Sequence, residues 1–391
     1  MPKPIYLDYA ATTPIDSKVL KEMLPYLKEE YGNPSSIHSF GQKARVAIED
    51  ARLKLAGFLN CTPKEIIFCG SATEADNFAI FGLLRPYLSK EKKRHIITTQ
   101  IEHHAVLEPY KELEDQGVAV TYLPVNKEGL INIADVGDAI TPETILVSIM
   151  YANNEIGTIQ PIAEIGKLVK EKSQELKTKI FFHTDAVQAV NYLDCNVENL
   201  RVDLLTISSH KIYGPKGIGA LYVRKGVPIV PIIYGGGQEN NLRSGTENVA
   251  GIIGFGAAIE EVKRRKSEVK SIERVRNKLI NRVLKDIPDS KLNGSREKRL
   301  PNNVNFSFKG AEGEAIVIAL DQKGIAVSTG SACSSRSLEP SHVLMALGLS
   351  EEEAHTSLRI SLGRFTTEKE IDNFLKVLPT VIDRLRKISG Y

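Results

Sequence analysis

Between residues 65 and 224, short β-branched runs alternate with longer amphipathic stretches. This alternation constrains the fold more than any other feature. The candidate strands are 65–69, 95–99, 119–125, 144–150, 179–184, 203–208 and 219–224, with helical patterns at 73–84, 105–116 and 162–176. Alternation of this kind predicts an α/β fold with a mostly parallel sheet covered by helices on both faces.

The pattern changes near Gly254. Apolar residues then recur at Phe255, Ile259, Val262, Val269, Ile272, Val275, Leu279, Val283 and Ile287, close to helical spacing. They predict one helix over 255–287, about 50 Å long at 1.5 Å per residue, of the kind that joins two domains. Strand patterns follow at 303–308, 326–328 and 357–362, and helical ones at 314–323, 340–347 and 368–388. Thr367 and Glu370 form a capping box at the start of the last helix. This is a second, smaller α/β domain, and 391 residues suffice for both.

With 42% hydrophobic and 25% charged residues the chain is an ordinary globular one, which excludes disorder for most of its length. Lys+Arg 51 against Asp+Glu 48 leaves +3, too balanced for a broad basic surface that binds nucleic acid. The basic runs 90–94 and 263–266 read as solvated faces. No stretch approaches a membrane span, and the first residues carry no signal-peptide core. Cysteines stand at 61, 69, 195 and 333 with no CxxC pair, so no metal site is expected. A cytoplasmic, reducing location with four thiols is the expectation.

Five places could carry chemistry. Gly70-Ser71-Ala72-Thr73-Glu74 joins an apolar strand to a helix, and free N–H groups beside a hydroxyl bind anions there. An ordinary Ser-capped corner would read the same. Asp185 ends an apolar strand, either in the ligand crevice of an α/β sheet or as a surface acid. Lys211, in Ser209-His210-Lys211-Ile212-Tyr213-Gly214, enters a Gly/Pro-rich turn. Such a lysine is a solvated charge or, with its pKa lowered, a Schiff-base amine. His103 and His104 follow another strand, as a helix cap or as a ring that stacks on a flat cofactor. Cys333 lies among Ser, Gly and Ala, unlike a packed structural cysteine. A phosphate cup, a strand-end acid and a strand-end lysine in one sheet are the set that pyridoxal phosphate needs.

Taken together the chain resembles the NifS/IscS cysteine desulfurases of the class V aminotransferases. The resemblance runs nearly end to end. It includes Tyr6 to Pro14, Gly32-Asn33-Pro34-Ser35, Gly70 to Glu74, Glu102-His103, Asn153 to Gly157, His183 to Ala186, Ser209 to Gly217, Arg243 to Thr246, Gly330-Ser331-Ala332-Cys333 and Arg359 to Arg364. It implies the type I pyridoxal-phosphate transferase fold. The large domain, 13–257, would hold a mostly parallel seven-stranded sheet. A smaller α/β domain, 1–12 with 258–391, would carry a mobile cysteine loop at about 328–341.

The resemblance also implies roles. Lys211 would form the Schiff base with pyridoxal 5′-phosphate, Asp185 would pair with the pyridine nitrogen and Gln188 would bond the phenolic oxygen. His103 would stack on the ring, with Glu102 before it favouring His103 over His104. Ala72, Thr73, Ser208, Ser209 and His210 would hold the phosphate. Thr246 would reach the cofactor of a second subunit, implying a homodimer. Asn154 would contact cofactor or substrate. Arg359, with Asn33, would bind the substrate carboxylate, for which a guanidinium fork is well suited. The implied reaction converts L-cysteine to L-alanine and leaves the sulfur on Cys333 as a persulfide. An iron–sulfur scaffold protein or another sulfur acceptor would then receive it. The long Ser/Gly-rich cysteine segment resembles the first class of desulfurases. A selenocysteine lyase or a small aminotransferase of the same fold is the alternative, and a docking subunit that only presents a thiol is a third.

Overall fold

The computed structural model describes residues 4–88, 94–330 and 339–391. Its strands are β1 (Ile5–Tyr6), β2 (Ile66–Cys69), β3 (His95–Thr99), β4 (Ala119–Leu123), β5 (Thr144–Ser148), β6 (Phe181–Asp185), β7 (Leu204–Ser208), β8 (Gly219–Val223), β9 (Ser290–Leu292), β10 (Asn303–Phe308), β11 (Ile325–Ala326) and β12 (Ser357–Ser361). Seven of them form one sheet in the order β2-β8-β7-β6-β5-β3-β4. Only β8 runs antiparallel to its neighbours; the other pairs are parallel.

Every residue of β5, β6 and β7 is buried, the polar Ser148, His183 and Thr206 included, as in a sheet covered on both faces. Val147, Phe182, Leu205 and Ile207 face one core. Leu146, Phe181 and Leu204 face the other. From β3 the chain steps outward to β4, whereas from β5 it steps the other way through β6, β7 and β8. The order therefore reverses between β3 and β5, and a ligand crevice is expected beyond the carboxyl ends of the strands there.

The second unit is an antiparallel sheet, β12-β10-β9, covered by helices Val269–Asp286, Gly313–Asp321 and Glu368–Ser389. Its core gathers Leu279, Phe306, Ile316, Ile360 and Phe374, together with Ile5 and Leu7 from the start of the chain. β1 pairs in parallel with β11 and so stitches the first residues to this unit. The capping box at Thr367 is present, with Glu370 Oε2 accepting from Thr367 N.

The single helix expected over 255–287 is instead two. Val249–Arg264 and Val269–Asp286 are separated by a 3-10 turn at Lys266–Glu268. Phe255, Ile259 and Val262 pack into the large core, whereas Val275, Leu279 and Val283 pack into the small one. Between them the sequence Lys-Arg-Arg-Lys-Ser-Glu has no apolar side chain to hold the axis straight, so each half turns to its own core. The helix expected over 73–84 also changes form. Ala72–Asn77 is α-helical and passes into a π-helical turn at Phe78–Gly82. The pairing expected over 326–328 ends at Ala326, and Ser328 makes only an isolated bridge to Arg359.

Candidate active site

A cavity of about 280 Å³ opens beyond the carboxyl ends of β3, β5, β6 and β7. Ala72, Thr73, His103, Asn154, Asp185, Gln188, His210, Lys211 and Arg359, all named from the sequence, line it.

At one end β2 leads into the helix Ala72–Asn77. Ser71 is its N-cap, and its hydroxyl accepts from Glu74 N at 3.1 Å. The Ser-capped corner and the anion cup are thus the same structure. Ala72 and Thr73 sit in the first turn, where backbone N–H groups have no partner inside the helix. β8 comes close beneath at Gly219: a Cβ there would lie 2.7 Å from Ser71 C and 2.9 Å from Ala72 N.

On the floor, Asp185 ends β6 with 7% of its surface exposed. Its Oδ1 accepts from Val187 N at 2.8 Å. Burial pushes its carboxyl up to about 6, opposed by that hydrogen bond and by the charge of Lys211. Lys211 follows β7, and its Nζ donates to Ala10 O and Ala11 O, both at 2.6 Å. Gln188 Nε2 donates to Ala10 O at 3.0 Å. Main-chain carbonyls of the N-terminal segment therefore position both polar side chains.

His103 caps the helix His104–Asp115, and Ala105 N donates to its Nδ1 at 3.1 Å. The neutral ring then carries its proton on Nε2. Burial, followed by the charge of Lys211, lowers its pKa to about 4, so it is neutral at physiological pH. The expected cap is present, and the same ring lines the cavity. His104 instead bonds Glu108 and packs against His342, with ring centroids 4.8 Å apart. Beneath this corner, buried Glu102 accepts from Thr99 Oγ1 at 2.8 Å and Met150 N at 2.9 Å.

Arg359 projects from β12 and closes the opposite wall. Its Nη1 donates to Asn154 O at 3.1 Å and Gly330 O at 3.4 Å, and its Nη2 pairs with Asp8 Oδ1 at 2.8 Å. Its Nε is buried with no partner among the described residues.

Other sequence candidates lie elsewhere. Ser208 and Ser209 are buried at the end of β7 but do not line the cavity, and Ser209 Oγ has no partner among the described residues. Asn33 and Thr246 are exposed and stand outside it. Cys333 lies outside the described residues; the cavity wall includes Gly330, three residues earlier. Burial pushes the thiols of Cys61 and Cys195 up to about 12, and that of Cys69 well up, as expected of structural cysteines.

The sequence reading missed Asp8, Asp76 and the carbonyls of Ala10 and Ala11. Asp8 and the two alanines belong to the Tyr6–Pro14 motif, which was a usable signal. Asp76 is an acid within Ala75-Asp76-Asn77-Phe78-Ala79-Ile80, an unusual place for a charge.

A buried acid, an amine, a ring histidine and a helix-start anion cup around one cavity match the donor set of a phosphorylated pyridine aldehyde. Known proteins carry the same architecture. The aminotransferase class-V family matches residues 5–374. The chain is 53% identical over 392 residues to a cysteine desulfurase IscS of Dictyoglomus turgidum, covering 100% of this chain and 98% of that protein. Among solved structures, a NifS-like protein is 40% identical with a TM-score of 0.90, covering 97% of this chain and all of that one. A structure described as SspA in complex with cysteine is 39% identical with a TM-score of 0.80, covering 93% of this chain and 100% of that chain. The chain belongs to the class-V aminotransferase family and stands with its NifS/IscS-type members.

Proposed function

We propose that this protein is a cysteine desulfurase that uses pyridoxal 5′-phosphate to convert L-cysteine to L-alanine and passes the sulfur to Cys333. The observation that carries the reading is the juxtaposition of Lys211, Asp185 and His103 in one cavity, in a chain half-identical to proteins named for this activity. The bound cofactor supplies an electron sink for the substrate's α-carbon.

This chain's residues supply the rest. Ala72, Thr73 and His210, which line the cavity, would hold the phosphate, whereas the buried Ser208 and Ser209 would not face it; Asp185 would take the ring nitrogen and Gln188 the phenolic oxygen. Lys211 would hold the aldehyde end of the cofactor, and its amine would take the proton from the substrate's Cα. His103 covers the ring and, neutral with a proton on Nε2, donates and recovers it. Arg359, with Asn154, would bind the carboxylate; Asn33 stands exposed outside this chain's cavity. Cys333 attacks the substrate sulfur as a thiolate; the C–S bond breaks, its electron pair stays on carbon, and protonation there gives alanine.

The working unit is a homodimer, in which Thr246 serves the partner's site. Phe40, Val46 and Leu53 expose apolar surface on the helix Ser39–Leu59, which supports a mating face there. We place the cofactor domain over residues 13–257 extended through Arg264, because Ile259 and Val262 pack into the large core, and the small one over the remaining residues. Iron–sulfur assembly or another sulfur acceptor receives the persulfide, in the cytoplasm. No described helix is long and apolar enough to cross a membrane.

The test is sulfide and alanine release from L-cysteine with a thiol reductant, alongside the visible spectrum. Equal yields in the wild type, and a Cys333→Ala protein that stays yellow but releases no sulfide, are expected. Unchanged turnover in that variant sinks the mechanism, and alanine that requires a keto acid acceptor points to an aminotransferase.

A further inference from the structure

A buried polar row crosses three neighbouring strands on one face of the large sheet. Ser148 Oγ on β5 meets His183 Nδ1 on β6 at 2.8 Å, and His183 Nε2 meets Thr206 Oγ1 on β7 at 3.2 Å. Leu146, Phe181 and Leu204 lie on this face, so strand alternation places Asp185 there as well, two residues beyond His183. The helix Ala72–Asn77 covers it and sends Asp76 toward the row. Asp76 lines the cavity with 1% of its surface exposed; no hydrogen bond of good geometry reaches either carboxyl oxygen among the described residues, and the hydroxyl that faces it is that of Thr206. His183 Nε2 stands 3.6 Å from Asp76 Oδ1.

An ionised carboxylate here lacks a cation to balance it, and burying one uncompensated is costly. His183 cannot supply the charge, because burial lowers its pKa to about 3. Burial holds Asp76 well above the carboxylate range, the nearby Asp185 and Glu102 push it further, and the hydroxyl of Thr206 opposes them. The charge of Lys211 acts the other way on Asp185. Of the two floor acids, Asp185 is therefore the one left to ionise. A neutral Asp76 is a hydrogen-bond donor.

We propose that Asp76 is a positioning residue for the cofactor ring: a neutral buried acid whose O–H donates toward Asp185, keeping that carboxylate ionised and oriented beneath the ring nitrogen. The inference rests on the cavity being the pyridoxal phosphate site and is independent of the substrate. It gives the floor a division of labour, with one acid carrying charge and the other carrying a proton.

Wild type, Asp76→Asn and Asp76→Leu separate the possibilities. Asn keeps a donor; Leu is similar in size and removes it. Infrared difference spectra of wild type minus Asp76→Asn at neutral pH, with and without cofactor, should show the carbonyl stretch of a protonated carboxyl. Pyridoxal phosphate should leave Asp76→Asn within about threefold of the wild-type rate and leave Asp76→Leu at least about tenfold faster, as for a lost hydrogen bond to a charged group. The visible absorption of the loaded Leu protein should also shift its pH midpoint. A purely structural role for Asp76 predicts neither the carboxyl band nor the rescue by Asn. No protonated-carboxyl band, a Leu protein that matches wild type, or an Asn protein as defective as Leu overturns the inference alone. A wild type that never takes up pyridoxal phosphate overturns the cofactor reading and this inference with it.

Discussion

Replacing Glu102 by Gln should flatten the pH dependence of stability. Glu102 is fully buried between the ends of β3 and β5, and burial pushes its carboxyl from the ordinary 4.5 up to about 8, against the hydrogen bonds from Met150 N and Thr99 Oγ1. The folded protein therefore holds a proton that the unfolded chain has released. A raised pKa contributes stability that is full below the unfolded value and is lost as pH rises through the folded one. Over that interval the slope is about 1.4 kcal/mol per pH unit, so about 2.7 kcal/mol disappears between roughly pH 5.5 and pH 7.5. Gln keeps the acceptor oxygen and has no proton to lose. Urea unfolding of both proteins across this range reads the effect directly. Asp76 and Asp185 titrate in both proteins, and the difference reads Glu102 together with its charge coupling to them. The advantage of Glu102→Gln should widen with pH by about 2.7 kcal/mol. Parallel stability curves would refute the assignment of a buried proton to Glu102.

Gly219→Ala puts a Cβ 2.7 Å from Ser71 C, so the phosphate turn must move; cofactor release, followed by absorbance, should quicken about tenfold, a loss of about 1.4 kcal/mol. Arg52→Leu strands buried Glu239, which Arg52 grips through Nη1 at 2.8 Å and Nη2 at 2.7 Å. Denaturant unfolding should show a loss of roughly 3–5 kcal/mol. His103, with its pKa held near about 4, should give kcat/KM no acid limb near the ordinary 6.5; the group charges only as pH falls toward 4. His103→Gln should keep its cofactor and lose at least about 100-fold in kcat.

The strands were legible because β5, β6 and β7 are buried on both faces, so each carries two or three adjacent apolar residues and no exposed position. The strand-end positions of Asp185 and Lys211 followed from them. The helix break at Arg265 was not legible, since apolar spacing reports that a face is buried but not which core receives it. The Tyr6–Pro14 motif marked Ala10 and Ala11, but not the role of their carbonyls. A main-chain acceptor has no side-chain identity, so only the fold reveals that Lys211 points at it. Asp76 shares the short helix Ala72–Asn77 with Thr73, Glu74 and Asn77, so its pattern did not separate it from ordinary polar residues of a first turn. Asn33 and Thr246 came from resemblance alone, and both stand outside this chain's cavity.

The pairing of Asp8 with Arg359 spans 351 positions along the chain. During synthesis the N-terminal segment emerges early, but Lys211 and the carbonyls of Ala10 and Ala11 must wait for residue 211, and Asp8 must wait for β12. Contacts this distant in sequence form late, after most of the loop entropy has been lost. The cavity is thus among the last parts of the molecule to be completed. A nascent chain that stops short of β12 can assemble much of the large sheet yet leave Asp8 without Arg359. Reactive chemistry is withheld until nearly the whole protein has been made.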